Sequence, residues 1–159
     1  MDCATTGKRV RIERLTAATE DALSILNLYY EEIEVVLRDT AEKVTALIKE
    51  PAAGLWLAYL DEKAVGCLMM RPLEGYSGAG ECKRLYVLPE ARGQRIGELL
   101  FDALEEYAQE IGLEWLYLDS KEDLLPALRM YVRRGFHLCE RYNENPQATV
   151  FMRKRLRAL

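Results

Sequence analysis

Hydrophobic positions repeat along the chain in two patterns, one typical of strands and one typical of helices. Short segments in which apolar and polar side chains alternate, or in which β-branched and aromatic residues cluster between turn residues, predict strands. The seven strands predicted in this way are Val10–Leu15, Leu55–Leu60, Ala64–Met70, Glu81–Val87, Glu114–Leu118, Phe136–Arg141 and Thr149–Arg155. A hairpin turn at residues 61–63 joins the second and third of them.

Apolar residues spaced three and four apart predict helices between these strands. The clearest helix runs from Ile96 to Ile111, with charged residues on its other face and Gly112 as its C-terminal stop. Two earlier helices are expected to begin after Thr19 and Thr40, whose hydroxyl groups suit the N-cap position. Each of these helices has an apolar face, which needs a sheet to pack against.

A fourth helix is predicted from Pro126 to Gly135, with Leu128 and either Tyr131 or Val132 facing inward. The resulting element order is β-α-α-β-β-β-α-β-α-β-β. Its hairpins favour antiparallel pairing, whereas its central β-α-β unit favours a parallel pair. The sequence therefore predicts an α/β fold in which helices pack on the faces of a mixed sheet.

Length and composition limit the classes of protein that the chain can belong to. The 159 residues suit one domain, taken as residues 1–159, and the net charge of −4 argues against nucleic acid as the main partner. No stretch approaches the ~20 apolar residues of a membrane span, and the polar N-terminus, residues 1–9, has no apolar signal core. We therefore expect a cytoplasmic protein that binds neither nucleic acid nor membrane.

Cysteine and histidine are too few and too scattered to predict a metal site. None of the four cysteines, Cys3, Cys67, Cys82 and Cys139, forms a C-x-x-C pair, and His137 is the only histidine. The last three cysteines lie in apolar segments, which favours reduced core thiols over a nucleophilic thiol. The sequence therefore predicts no metal.

A short basic turn separates the fourth predicted strand from the longest helix. It contains Arg92, Gly93 and Arg95, and Gly97 follows in the first turn of the helix. The N–H groups and partial positive charge of a helix N-terminus attract anions, and glycine lets a phosphate approach them. The turn therefore predicts either a phosphate or pyrophosphate site or, equally, a helix cap with solvated arginines.

The same turn resembles motif A of the GNAT superfamily, the acyl-CoA-dependent N-acyltransferases, whose pattern after the fourth strand is [Q/R]-x-x-G-x-[G/A]. Arg92, Ile96 and Gly97 fit this pattern, and Gly93 matches its frequent Arg-Gly pair. Arg95 departs from it, because the family usually has a glycine there. We expect a side chain at this position to be compatible with helical backbone angles.

A second segment, residues 127–136, resembles motif B of the same family, A-x-x-[L/M]-Y-x-x-x-G-F, including Tyr131 and the final Gly-Phe pair. The two motifs stand in the family's order, and the resemblance spans residues 10–156. It implies the GNAT fold, in which helices flank both faces of a mixed central sheet that is mostly antiparallel with a parallel central pair.

The resemblance implies that acetyl-CoA is the cosubstrate. Its pantetheine arm would lie where the fourth and fifth strands separate, and backbone groups at a bulge in the fourth strand would hold it, one of them facing the thioester oxygen. Its pyrophosphate would lie on the N–H groups of residues 92–97. The implied cofactor-binding residues are Leu85, Tyr86, Val87, Arg92, Gly93, Gln94, Arg95, Ile96, Gly97 and Ser120.

Two residues are candidates for catalysing acetyl transfer to a primary amine, by direct attack in a ternary complex. Tyr131 would donate a hydrogen bond or a proton to the departing thiolate, unless it is only a packed core residue. Glu81 would take a proton from the amine or bind its ammonium group, unless it is an edge glutamate that pairs with Lys83 or is solvated.

The acceptor is expected to be a primary amine of a small molecule, an amino acid or a peptide. Its expected walls are the region after the first helix, with Tyr29 and Glu32, and the loop that contains Tyr142 and Asn143. Aromatic and acidic side chains there would suit a cationic amine. The alternative function is a non-catalytic acyl-CoA-binding regulatory domain of the same fold, which Tyr131 disfavours. Analogy with the family also suggests a possible homodimer.

Overall fold

The computed structural model describes residues 9–157 as a seven-stranded sheet covered by helices. The strands are β1 (Val10–Arg14), β2 (Gly54–Leu60), β3 (Lys63–Pro72), β4 (Ala79–Val87), β5 (Trp115–Ser120), β6 (His137–Leu138) and β7 (Val150–Arg155). The helices are α1 (Glu20–Ile33), α2 (Ala41–Ile48), α3 (Ile96–Glu110) and α4 (Leu125–Arg133). Residues 1–8 and 158–159, with Cys3 and nearly all of the polar N-terminal segment, lie outside the described residues.

The elements follow one another in the predicted order, and the sheet has the strand order β1-β2-β3-β4-β5-β7-β6. Neighbouring strands are antiparallel except β4 and β5, which are parallel because α3 connects them. Leu85 and Tyr86 are neighbours on β4 and face opposite sides of the sheet. Tyr86 packs against Tyr29 of α1, whereas Leu85 lies beside Gly97 of α3. The prediction of a mixed sheet flanked by helices is therefore confirmed.

Side-chain caps fix where the first two helices begin. The hydroxyl groups of Thr19 and Thr40 each accept a hydrogen bond, at 3.2 Å, from the backbone N–H three residues later. On α4 the inward residue is Tyr131, which is 7% exposed, and not Val132, which is 63% exposed. In residues 9–157 no helix is long and apolar enough to cross a membrane.

The sixth strand is shorter than predicted. Instead of the whole segment Phe136–Arg141, only His137 and Leu138 pair with β7. The chain leaves the sheet here because the Arg141 guanidinium donates hydrogen bonds to the carbonyl oxygens of residues 143, 145 and 148, which holds residues 139–149 as a compact loop. This β6–β7 loop reaches back to β4, where it contacts Glu81.

One extra residue in β4 creates a bulge at Arg84. Two steps along β3, from Met69 to Cys67, correspond to three steps along β4, from Lys83 to Tyr86. Arg84 itself has a φ of 62°, in the left-handed region. β4 pairs with β5 only over its first four residues, so the two strands separate where the bulge begins.

We predict that Gly66→Ala destabilises the protein at this bulge. A Cβ atom at Gly66 would lie 2.8 Å from the carbonyl oxygen of Tyr86, so the backbone of β4 would have to shift. The expected loss in the free energy of unfolding, measured by urea denaturation, is about 1–3 kcal/mol. Gly80→Ala is the matched control, because its Cβ would meet the side chains of Met70 and Leu113 at 3.0–3.1 Å, and side chains can move. Equal losses in both variants would contradict this explanation.

Candidate active site

A cavity of about 840 Å³ opens where β4 and β5 separate. Its walls are the C-terminal end of α1, the N-terminal ends of α3 and α4, and the β6–β7 loop. All catalytic and cofactor-binding residues predicted from the sequence border this cavity except Gln94, and of the expected acceptor walls Tyr29, Glu32 and Asn143 border it whereas Tyr142 does not. The cavity thus joins the predicted anion-binding turn to Glu81 and Tyr131.

The first turn of α3 forms one end of the cavity. The first hydrogen bond within the helix runs from the Leu99 N–H to the Arg95 carbonyl oxygen at 3.1 Å, so the N–H groups before Leu99 have no acceptor in the helix. Gly93, in the preceding turn, has a φ of 81°, which costs glycine little. These donors and the helix dipole suit a phosphate group.

Two details of this turn differ from expectation. Arg95 is not helical, because its φ of 61° and ψ of 24° lie in the left-handed region, which costs a residue with a Cβ atom about 1–2 kcal/mol. This cost explains why glycine suits the position. The N–H group of Arg92 donates to the Pro89 carbonyl oxygen at 3.3 Å, so the free donors of residues 92–97 begin after Arg92.

The two arginine side chains of the turn have different partners. Arg92 Nη2 pairs with Glu32 Oε2 at 2.6 Å and its Nε donates to the Val87 carbonyl oxygen at 2.9 Å, which ties the turn to α1 and β4. The Arg95 side chain is 82% exposed and lies 3.7 Å from Glu98. Arg95 is therefore the more available cation for a bound anion.

Arg84 is absent from the residues predicted by sequence, although it occupies the bulge and borders the cavity. Its buried guanidinium donates to the Leu37 carbonyl oxygen at 2.9 Å and pairs with Asp39 at 3.3 Å, which fastens the α1–α2 loop to the bulge. The sequence does contain a signal for Arg84, because it directly follows Lys83. Two neighbours in a regular strand point to opposite faces, so these two cations would place a charge on each face of β4.

Glu81 lies at the centre of a buried hydrogen-bonded cluster. It is only 4% exposed and belongs to an interior strand, so it is neither solvated nor at an edge, although the pairing with Lys83 that the alternative included is present. Its Oε2 accepts hydrogen bonds from the Tyr142 hydroxyl at 2.8 Å and from the Asn143 amide at 2.9 Å. Arg71 Nε lies 3.3 Å from Oε1, and Lys83 Nζ lies 3.6 Å from Oε2.

Lys83 links Glu81 to a second buried carboxylate, Asp119 of β5, which no sequence pattern singled out. Asp119 Oδ2 lies 3.2 Å from Lys83 Nζ and 2.7 Å from the amide nitrogen of Asn143. Burial and the carboxylates of Glu81 and Asp119 raise the pKa of Tyr142, so its hydroxyl remains a hydrogen-bond donor. With Arg71, the cluster contains two carboxylates and two cations.

Tyr131, on α4, borders the cavity and is buried. Its ring packs edge-on against Phe101 and Phe136, with ring centroids 5.8 and 6.0 Å away. Burial raises the pKa of Tyr131 above the usual value for tyrosine, which keeps the hydroxyl protonated. Tyr131 is therefore both a packed core residue and a part of the cavity wall.

The three thiols within residues 9–157 are unsuited to nucleophilic attack. Burial raises the pKa of Cys67 to about 12 and raises that of Cys82 well above its usual value. Cys139 is unpaired like the other two, and burial raises its pKa as well. Among residues 9–157 no group of His, Cys, Asp and Glu side chains could hold a metal ion.

Comparisons with known proteins connect this site to a family. The model of a family described as the acetyltransferase (GNAT) family matches residues 19–136. An uncharacterized N-acetyltransferase of Schizosaccharomyces pombe is 41% identical over 106 residues, which are 65% of this chain and 64% of that protein. The aminoalkylphosphonate N-acetyltransferase of Salmonella typhimurium is 32% identical over 125 residues, 76% of this chain and 81% of that protein. The chain thus spans less than two thirds of the first of these relatives.

Solved structures share the fold at lower identity. A GNAT-family acetyltransferase of Staphylococcus aureus superposes with a TM-score of 0.78 at 18% identity, and the match covers 94% of this chain and 100% of that one. The PaiA N-acetyltransferase of Thermoplasma acidophilum, solved in complex with coenzyme A, superposes with a TM-score of 0.72 at 16% identity, covering 92% and 99%. Both have the architecture described above.

We predict that Arg95→Gly stabilises the protein, because glycine adopts the left-handed angles of this position without a Cβ clash. Relief of about 1–2 kcal/mol of strain, offset in part by the greater chain entropy of unfolded glycine, leaves a net gain of about 0.5–1 kcal/mol in urea denaturation. Arg95→Ala is the control, since it removes the same charge and side chain but keeps the Cβ atom. An equal gain in Arg95→Ala would assign the effect to charge instead of backbone strain.

Proposed function

This chain belongs to the GNAT acetyltransferase family, and we propose that it transfers the acetyl group of acetyl-CoA to a primary amine by direct attack in a ternary complex. The observation that carries the proposal is the cavity that joins the first turn of α3 to Glu81 and Tyr131. A cosubstrate entering from the α3 end and an acceptor entering from the Glu81 end would meet at the bulge of β4.

The residues at the α3 end suit the pyrophosphate of coenzyme A. Unpaired N–H groups of the first turn would bind it, and Arg95 would add positive charge. Residues 85–87 form the side of β4 that faces the gap, and Ser120 ends β5 across it. The backbone groups of residues 85–87 would then hold the pantetheine arm, and one N–H would face the thioester oxygen, where negative charge develops during transfer.

The reaction exchanges one bond and, for an acceptor that starts as an ammonium group, releases one proton to solvent before a second proton is exchanged between nitrogen and sulfur. Acetyl-CoA supplies an activated acetyl group as a thioester. A C–N bond forms to the acceptor and the C–S bond breaks, so the amine nitrogen must lose a proton and the sulfur must gain one. The products are an N-acetyl amide and free coenzyme A. No cysteine of residues 9–157 needs to form a covalent intermediate, which agrees with the raised pKa of the buried thiols.

Removing the amine proton is the first task of the protein. An alkyl amine has a pKa near 10.4, so making it neutral at pH 7 costs about 4–5 kcal/mol. We assign the proton to Glu81, which would receive it through water because the bulge lies three strand steps, about 10 Å, from Glu81. Its contacts with Arg71 and Lys83 hold the carboxylate in place.

Stabilising the departing thiolate is the second task, and we assign it to Tyr131. Because burial raises the pKa of the Tyr131 hydroxyl further above that of a thiol, full transfer of its proton to the thiolate is unfavourable. Tyr131 would therefore act mainly by donating a hydrogen bond to the sulfur, and the proton would reach coenzyme A from solvent. The aromatic packing of its ring against Phe101 and Phe136 fixes the position of the hydroxyl.

A small-molecule amine is the acceptor we favour. The Salmonella typhimurium relative is named for aminoalkylphosphonates, which are small amines, and its match covers most of both chains. The unpaired thiols suit the reducing cytoplasm, where we place the reaction. The rival function, a non-catalytic acyl-CoA-binding regulatory domain, would bind acetyl-CoA without consuming it.

A screen of primary amines with acetyl-CoA, read by release of free thiol, tests the function. With a productive acceptor we expect Tyr131→Phe to lower kcat by about 10- to 100-fold, because the thiolate loses its hydrogen bond. The Kd of coenzyme A, measured by calorimetry, should change less than about threefold. Tyr59→Phe is the matched control, since that hydroxyl bonds Asp21 outside the cavity.

Two results would count against parts of this proposal. Thiol release by Tyr131→Phe at the rate of the unmodified protein would remove Tyr131 from the mechanism. Tight binding of acetyl-CoA without thiol release for any amine would favour the regulatory alternative.

The phosphate end can be tested by charge alone. A side chain at Gly97 would enter the first turn of α3, where a Cβ atom meets only Met130, at 3.4 Å, and Leu85, at 4.0 Å. We expect Gly97→Glu to bind coenzyme A at least tenfold more weakly than Gly97→Gln, because only the former brings negative charge to the pyrophosphate. Calorimetry measures both. Equal affinities would place the pyrophosphate elsewhere.

A further inference from the structure

The acceptor end of the cavity points to the class of amine that it binds. Resting on the function proposed above, we propose that the acceptor carries an anionic group, a carboxylate or a phosphonate, and that Arg71 binds this group. The amine would then lie toward the bulge and the anion toward Arg71.

Arg71 is the cation beside Glu81 that still has N–H groups without a hydrogen-bond partner in the described part of the chain. It lies on β3 opposite Glu81 of β4, borders the cavity, and its side chain is 34% exposed. Its Nε pairs with Glu81, whereas its two terminal nitrogens have no partner among residues 9–157. A guanidinium in this state presents a planar fork of N–H donors, which matches the two oxygens of a carboxylate or phosphonate.

The other cations near β4 are already engaged. Lys83 lies between the carboxylates of Glu81 and Asp119. Arg84 pairs with Asp39 and donates to a carbonyl oxygen of the α1–α2 loop. Their side chains are 9% and 8% exposed, against 34% for Arg71, so Arg71 is the most accessible of the three cations.

The carboxylates argue against an acceptor with a second positive charge. Glu81 and Asp119 are neutralised by Lys83 and Arg71, and Glu32, which was expected to suit a cationic amine, pairs with Arg92 at 2.6 Å. The remaining carboxylate on this side, Glu144, is exposed at the rim. The cluster has two carboxylates and two cations, so its charges cancel. An anion bound to Arg71 would then balance the positive charge of the incoming ammonium group.

The spacing sets the length of the acceptor. Three strand steps lead from Glu81 to Arg84 at the bulge, about 10 Å at 3.3 Å per residue. The side chain of Arg71 begins beside Glu81, in the pairing register of β3 and β4. The amine and the anion of the acceptor would thus be less than about 10 Å apart, the span of a short aliphatic chain.

Matched pairs of acceptors test the proposal. The series is glycine, β-alanine, 4-aminobutanoate and 5-aminopentanoate, each compared with its own carboxamide, and 3-aminopropylphosphonate distinguishes the two anions. At the best chain length we expect the acid to exceed its amide at least tenfold in kcat/KM. Arg71→Gln should reduce this ratio at least tenfold by raising KM for the acids, and Arg71→Lys should restore part of it.

Lys121→Gln is the comparison variant, because Lys121 also borders the cavity, beside the end of β5, and a loss of acid preference in Lys121→Gln as large as in Arg71→Gln would overturn the assignment to Arg71. Amides that match or exceed their acids in the unmodified protein would overturn the proposal, as would equal losses for both series in Arg71→Gln. If no amine releases thiol, the proposed function fails, but calorimetry with the coenzyme A-loaded protein still reads the preference. Binding of acids that Arg71→Gln abolishes supports the inference, and equal binding of acids and amides overturns it.

Discussion

The extra residue in β4 is the constraint on which the site depends. Because three residues of β4 span two of β3, β4 turns away from β5 after four paired residues, and the cavity occupies the resulting gap. The bulge also directs Arg84 toward Asp39 on the α1 side, while Leu85 faces Gly97 on the other side. Both walls of the cavity therefore take their positions from one local irregularity of the sheet.

Internal ion pairs give this cavity its shape more than they give it charge. Arg92 and Glu32 join the turn before α3 to α1, and Arg84 and Asp39 join the α1–α2 loop to β4. Such pairs add little net stability, because solvent screens the exposed Arg92–Glu32 pair and because burial of charge offsets much of the attraction between Arg84 and Asp39, but they restrict how the loops can be placed. The cavity thus has defined walls, although the turn before α3 and the α1–α2 loop form part of them.

Local patterns were sufficient to predict the element order and the caps at Thr19 and Thr40, because residues close in sequence determine both. The surroundings of Glu81 were beyond such patterns, since Tyr142 lies 61 residues away and meets it only through the β6–β7 loop. The length of β6 depended on the contacts of the Arg141 side chain, which a period-two pattern does not contain. The prediction of helical backbone angles for Arg95 is wrong, because residue type does not reveal a left-handed backbone.

The gap between β4 and β5 is also an unpaired strand edge inside a sheet. Exposed edges usually attract another β-strand and lead to aggregation. Here the edge is recessed between the walls of the cavity, so a second sheet cannot approach it, whereas a single narrow chain can. An extended ligand with amide groups would pair with this edge as a strand does, by main-chain hydrogen bonds. The recessed edge of β4 can therefore stay unpaired without the risk of self-association that an exposed edge carries.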